Sequence, residues 1–114
     1  MSINKELLKG SHSILILSLL SQSDMYGYQI TKKLAEQSQD IFTLKEGTLY
    51  PLLHLLENDG YIQSYWEETS SARKRRYYHL TDSGKKLLAT KKQEWQTFSQ
   101  AVNQVIGGAV IECH

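Results

Sequence analysis

One cysteine, Cys113, is all the chain contains, so no internal disulfide can brace the fold, and a reducing cytoplasm suits it. Proline is as scarce, with Pro51 the single example among 114 residues, and seven glycines complete a composition far from low complexity. No internal repeat is visible. The longest apolar run, Ile14 to Leu20, is about a third of a membrane span. No charged stretch followed by an apolar segment and a cleavage site opens the chain. These absences predict a soluble, cytoplasmic, single-domain protein without membrane contact.

Chemistry is missing too. His12, His54, His79 and His114 show no metal-ligand spacing with one another or with acids. There is no nucleophile motif, no phosphate-cradling glycine loop and no plausible carboxylate pair, so the chain is predicted not to be an enzyme and to need no cofactor. A charge excess is also lacking: 13 Lys+Arg face 12 Asp+Glu, for a formal net charge of +1. The distribution says more than the total, because phosphate contacts are made locally. The acids are scattered from Glu6 to Glu112, whereas Arg73, Lys74, Arg75 and Arg76 are consecutive.

What is present is a legible order of elements. Residues 3–21 predict a first helix, with Ile3, Leu7 and Leu8 extending the apolar block and Gly10-Ser11 as a weak point. Ser21 to Asp24 supply turn residues and a helix N-cap. A second helix follows over Tyr26–Gln37, then an extended link through Ile41, Phe42 and Leu44. Leu49, Leu52, Leu53 and Leu56 fall at i, i+3, i+4 and i+7, so a third helix starts near Glu46, holds Pro51 in its first turns and stops at Gly60. Tyr61–Glu68 and Arg73–Leu80 predict two strands about the polar turn Thr69–Ala72. Thr81 caps a last helix reaching Ile106 and closed by Gly107-Gly108.

Three helices, a hairpin and a helix predict a mainly α fold with a small β-hairpin. That is a winged helix-turn-helix over residues 1–80, a C-terminal dimerisation helix over 81–107 and a tail over 108–114. With its leucines inward, the third helix turns Lys45, Thr48, Tyr50, His54 and Asn58 outward, a set of donors and a methyl that suits base edges and phosphates in a major groove. The bland reading is a solvated helix face. For Arg73 to Arg76 the readings are a phosphate clamp or a charged hairpin edge that discourages sheet pairing. In the last helix Leu88, Trp95, Val102 and Ala109 share one heptad position and Phe98 and Val105 the other, a seam that predicts a second subunit as its cover. A winged helix used for protein–protein contact without DNA is the alternative.

Asp24-Met25-Tyr26-Gly27-Tyr28-Gln29-Ile30, Glu46 to Leu53 with Leu56 to Ile62, and Arg75-Arg76-Tyr77-Tyr78-His79-Leu80-Thr81-Asp82-Ser83-Gly84 together resemble the PadR family of bacterial transcriptional regulators. The likeness runs over residues 5 to about 100 and is to the short subfamily with one C-terminal helix. Ser70-Ser71-Ala72 stands where family wings often carry Gly or Pro. The resemblance implies a homodimeric, ligand-responsive repressor on a palindromic double-stranded DNA operator. It also places Tyr26, Tyr28, Thr48 and Tyr50 near DNA and gives the basic wing, Arg73, Lys74, Arg75 and Arg76, a grip on the backbone. Some relatives line a flat pore between subunits with a tryptophan, which would make Trp95 and Phe98 an effector site for a small planar aromatic; otherwise Trp95 is an ordinary interface anchor.

Overall fold

The computed structural model of the chain describes residues 11–69 and 73–107. Ile3, Leu7, Leu8 and Gly10 of the expected first helix, Ser70 to Ala72 of the turn, and the tail with Ala109 and Cys113 lie outside the described residues. Within them the order is α1 (His12–Gln22), β1 (Met25–Tyr26), α2 (Gly27–Gln37), α3 (Glu46–Asn58), β2 (Ile62–Glu68), β3 (Lys74–Leu80) and α4 (Asp82–Ile106). No described helix is long and apolar enough to cross a membrane.

The core forms where the apolar stripes of these elements meet. Ile16, Leu17, Leu19 and Leu20 of α1 are buried at its centre, which is why that helix is apolar nearly all round: it packs on α2, β3 and α4 at once. Ile30 and Leu34 come from α2, Leu49, Leu53 and Leu56 from α3, and Ile62, Tyr78 and Leu80 from the hairpin. Phe42 and Leu44 of the extended link pack against the same cluster.

Helix ends follow local chemistry. Asp59 and Gly60 close α3 in a Schellman arrangement: the Tyr61 N–H reaches the Leu56 carbonyl at 3.0 Å, the Gly60 N–H reaches Glu57 at 3.0 Å, and Gly60 takes φ 84°. Thr81 Oγ1 accepts the Gly84 N–H at 3.0 Å to start α4, and Gly107 at φ 119° ends it. Pro51 is the sixth residue of α3, so it forgoes the bond to the carbonyl of Gly47, which is exposed.

The sheet has three strands in the order β1-β3-β2, all antiparallel. Beyond the expected hairpin, Met25 pairs with Tyr78 and Tyr26 with Tyr77, so a two-residue strand precedes α2. Tyr26 is therefore extended and α2 begins at Gly27. The expected N-cap within Ser21 to Asp24 is corrected: Tyr26 occupies that position, and its N–H is met by the Gln29 side chain at 3.2 Å. Asp24 is engaged elsewhere. β2 and β3 run in continuous register from Ile62 opposite Leu80 to Glu68 opposite Lys74. Parity then fixes the faces: even-numbered residues of both strands share the side carrying Ile62, Tyr78 and Leu80, and odd-numbered ones share the other.

Candidate nucleic-acid interface

Burial of Leu49, Leu53 and Leu56 leaves the opposite face of α3 to solvent, and Lys45, Thr48, His54 and Asn58 are exposed there. Lys45 is the N-cap residue, and its carbonyl takes the Thr48 and Leu49 N–H groups at 2.9 Å each. Lys45 and Thr48, both exposed, thus stand at the N-cap and in the first turn of the helix. The Asn58 amide lies 3.3 Å from His54 Nε2, so the two form one polar patch a turn from the C-terminus. Tyr50 is placed differently. It is 43% exposed, yet a Cβ added to Gly27 would overlap its hydroxyl, so its ring leans over the start of α2 and links the two helices. Glycine is what permits that approach.

The four wing bases divide by strand parity. On the odd face the Arg75 guanidinium lies 4.5 Å from the centre of the Tyr26 ring and donates to the Tyr26 hydroxyl at 3.0 Å. On the even face Arg76 donates to Glu57 Oε1 at 3.1 Å and to Ser64 Oγ at 2.8 Å, while Ser64 also donates to Glu57. Arg76 thus ties the wing to the recognition helix. Its ion pair is partly exposed and stabilises by about 1 kcal/mol or less, so its main effect is on position. Burial pushes the Tyr78 hydroxyl of that face up from its ordinary pKa, with Arg76 acting against it. Among the described residues, Arg73 and Lys74 are the wing bases whose side chains meet no partner. The four bases therefore do not act as one cluster.

The odd face holds residues that sequence reasoning missed. Tyr65 donates to Asp24 Oδ2 at 2.7 Å, and His79 Nδ1 lies 2.8 Å from Asp24 Oδ1. Burial raises the Asp24 carboxyl, but the hydrogen bonds from Tyr65 and His79, with the His79 charge, outweigh it and leave the pKa below the usual value. Its bond to Asp24 pushes the Tyr65 phenol up to about 12, helped by burial and by the charges of Asp24 and Glu67. Tyr65 stacks on Tyr77 at 5.7 Å, Tyr77 meets Tyr26 edge-on at 5.4 Å, and Tyr26 faces Tyr28 at 6.4 Å. Tyr26 is half-buried in this row, whereas Tyr28 is exposed at its end.

Along α4 the expected seam splits. Leu88 is buried in the chain's own core, because the first turns of α4 pack on α1 and β3. From Trp95 onward the apolar positions are open: Trp95, Phe98, Val102 and Val105 are all exposed, Val105 at 86%, with Ile106 beside them. Trp95 and Phe98 tilt together at 5.9 Å.

A helix-turn-helix with a solvent-facing second helix, braced to a basic hairpin, is the architecture of winged-helix proteins that bind DNA. The transcriptional regulator PadR-like family matches residues 16–90, and the chain belongs to it. Solved structures agree. A transcriptional regulator from Clostridium thermocellum superposes with a TM-score of 0.80 at 35% identity, covering 87% of this chain and 96% of that one. A PadR family regulator from Clostridium difficile does so with 0.76 at 40%, covering 85% and 99%. The negative transcriptional regulator PadR of Bacillus subtilis is 29% identical over 80% of this chain, which spans 48% of that longer protein. The protein is a DNA-binding transcriptional regulator and not an enzyme.

Proposed function

We propose that the protein acts as a homodimeric repressor whose two recognition helices read the half-sites of an inverted-repeat operator. The observation that carries this is the Arg76–Glu57 brace, which holds the basic hairpin beside the outward face of α3. Thr48, His54 and Lys45 would meet base edges and nearby phosphates, while Arg73 and Lys74 would grip the flanking backbone. Tyr26, Tyr28 and Tyr50 line the start of α2, the part of a helix-turn-helix that crosses the backbone. Arg75 and Arg76 contribute by holding Tyr26 and the wing in place. The exposed seam from Trp95 to Val105 supports a second copy as its cover, since an open apolar strip of this kind is costly to leave in water. Trp95 and Phe98 are the residues through which a planar aromatic effector would act. A repressing role is supported by the negative regulator of Bacillus subtilis among the relatives.

Binding to duplex DNA across a salt series tests this reading. A dimer making about 6–10 phosphate contacts loses orders of magnitude in affinity between low and moderate salt. Salt-insensitive capture of a protein partner, with no duplex bound, would instead make the fold an interaction module.

A further inference from the structure

The wing carries an aromatic residue that neither the core nor the basic turn accounts for. Trp66 is 64% exposed, the most exposed aromatic of the hairpin among the described residues. Its face is fixed by register: Ile62, which is buried, Ser64, which donates to Glu57 of α3, and Trp66 share one side of β2. The indole therefore stands on the side of the wing that faces the recognition helix, not on the tyrosine-lined side. Opposite it on β3 is Arg76, drawn back onto Glu57 and Ser64, and one pair further out Glu68 faces Lys74. Drawing Arg76 inward leaves Trp66 uncovered between the braced arginine and the Glu68–Lys74 pair.

We infer that Trp66 is a DNA-contacting residue, packing its ring on a deoxyribose of the backbone beside the half-site and offering its N–H to a phosphate oxygen. The inference rests on the DNA-binding reading of α3 and the wing and adds an uncharged anchor to it. A tryptophan suits that place because one end is apolar and the other donates a hydrogen bond. The occupant is the DNA backbone, because the surface around the indole is continuous, through Ser64, Arg76 and Glu57, with the recognition helix proposed to enter the groove.

The test uses the whole chain labelled with 5-fluorotryptophan, whose two resonances come from Trp66 and Trp95, assigned by Trp66→Phe. A duplex of about 20 base pairs of arbitrary sequence is added at low salt, since backbone contact does not depend on sequence. Binding is followed independently by the anisotropy of a dye on the duplex. The expected result is a Trp66 resonance that shifts or broadens as the duplex is bound. A bound duplex with an unmoved Trp66 resonance overturns the inference while leaving the DNA-binding reading intact, and an unbound duplex overturns that reading itself. A Trp66 resonance that responds to protein dilution and not to duplex would assign the face to contact between copies of the chain. Trp66→Ala should weaken duplex binding about tenfold with the salt slope unchanged, because no cation is lost, whereas Lys74→Ala should reduce the slope by about 0.9. A slope that falls on removing Trp66 contradicts the proposed contact.

Discussion

Gly84 is the third residue of α4, and its replacement by alanine sets two opposed effects against each other. An alanine in a helix gains up to about 1 kcal/mol over glycine. A Cβ at this position, however, would overlap the Tyr61 carbonyl oxygen and press Leu80 Cδ1 at 2.6 Å. The first of these is backbone and cannot swing aside. That same carbonyl accepts the Thr81 N–H at 3.1 Å, the bond that seats α4 against the end of the recognition helix. Overpacking of this kind costs about 1–3 kcal/mol, and loosening the bond adds about 1 kcal/mol. The clash wins, with a net destabilisation of about 1–3 kcal/mol, or a fall in Tm of about 5–15 °C at fixed protein concentration. Gly47→Ala is the control. It lies in α3 with nothing within 4 Å of an added Cβ, so only the helical gain operates and Tm should hold or rise slightly. Far-ultraviolet circular dichroism during heating measures both. A Gly84→Ala protein melting within about 2 °C of the parent would refute the close approach of Gly84 to Tyr61.

Three further outcomes are expected. Thr48→Ala should change which base pair is preferred at one position, by about 1–3 kcal/mol; an equal loss on every sequence would limit Thr48 to the backbone. The Asp24 carboxyl sits below its ordinary 3.8, so its contribution to stability is full above that pH and fades as pH falls through the lower folded value. Tyr65, raised from 10.0 to about 12, contributes fully below pH 10 and loses its share as pH rises towards 12. Asp24→Asn should therefore bring phenolate formation at Tyr65 back down towards 10, read by ultraviolet absorbance; an unchanged titration would contradict the pairing. Phe98→Asp places a charge in the exposed seam of α4 and should halve the mass seen in sedimentation. An unaltered mass would put the dimer contact elsewhere.

Features written locally in the chain were legible before the structure. The α3 leucines, the Gly60 stop, the Thr81 cap and the Gly107 end each depend on residues within a turn or two, and each falls where the pattern placed it. The winged-helix order followed from them. Long-range pairing was not legible: β1 is two residues long, too short for any periodicity, and exists because Tyr77 and Tyr78 lie beside it. Asp24 read as a cap because that is its commonest local use, whereas its partners Tyr65 and His79 come from 41 and 55 residues away. Sequence showed four adjacent cations at Arg73 to Arg76 but not that Tyr26 and Glu57 engage two of them. Heptad counting could not separate Leu88, which the protomer buries, from Trp95 and Phe98, which it leaves open. The signal that would have found Trp66 was present in the alternation Ile62, Ser64, Trp66.

The most direct test is selection of duplexes from a random pool by the purified protein, followed by sequencing of what it retains. Two α3 helices related by a dimer axis predict a motif with two-fold symmetry and half-sites about one helical turn apart, on the order of 10 base pairs. Retention of a single asymmetric motif, or no enrichment at all, would contradict it.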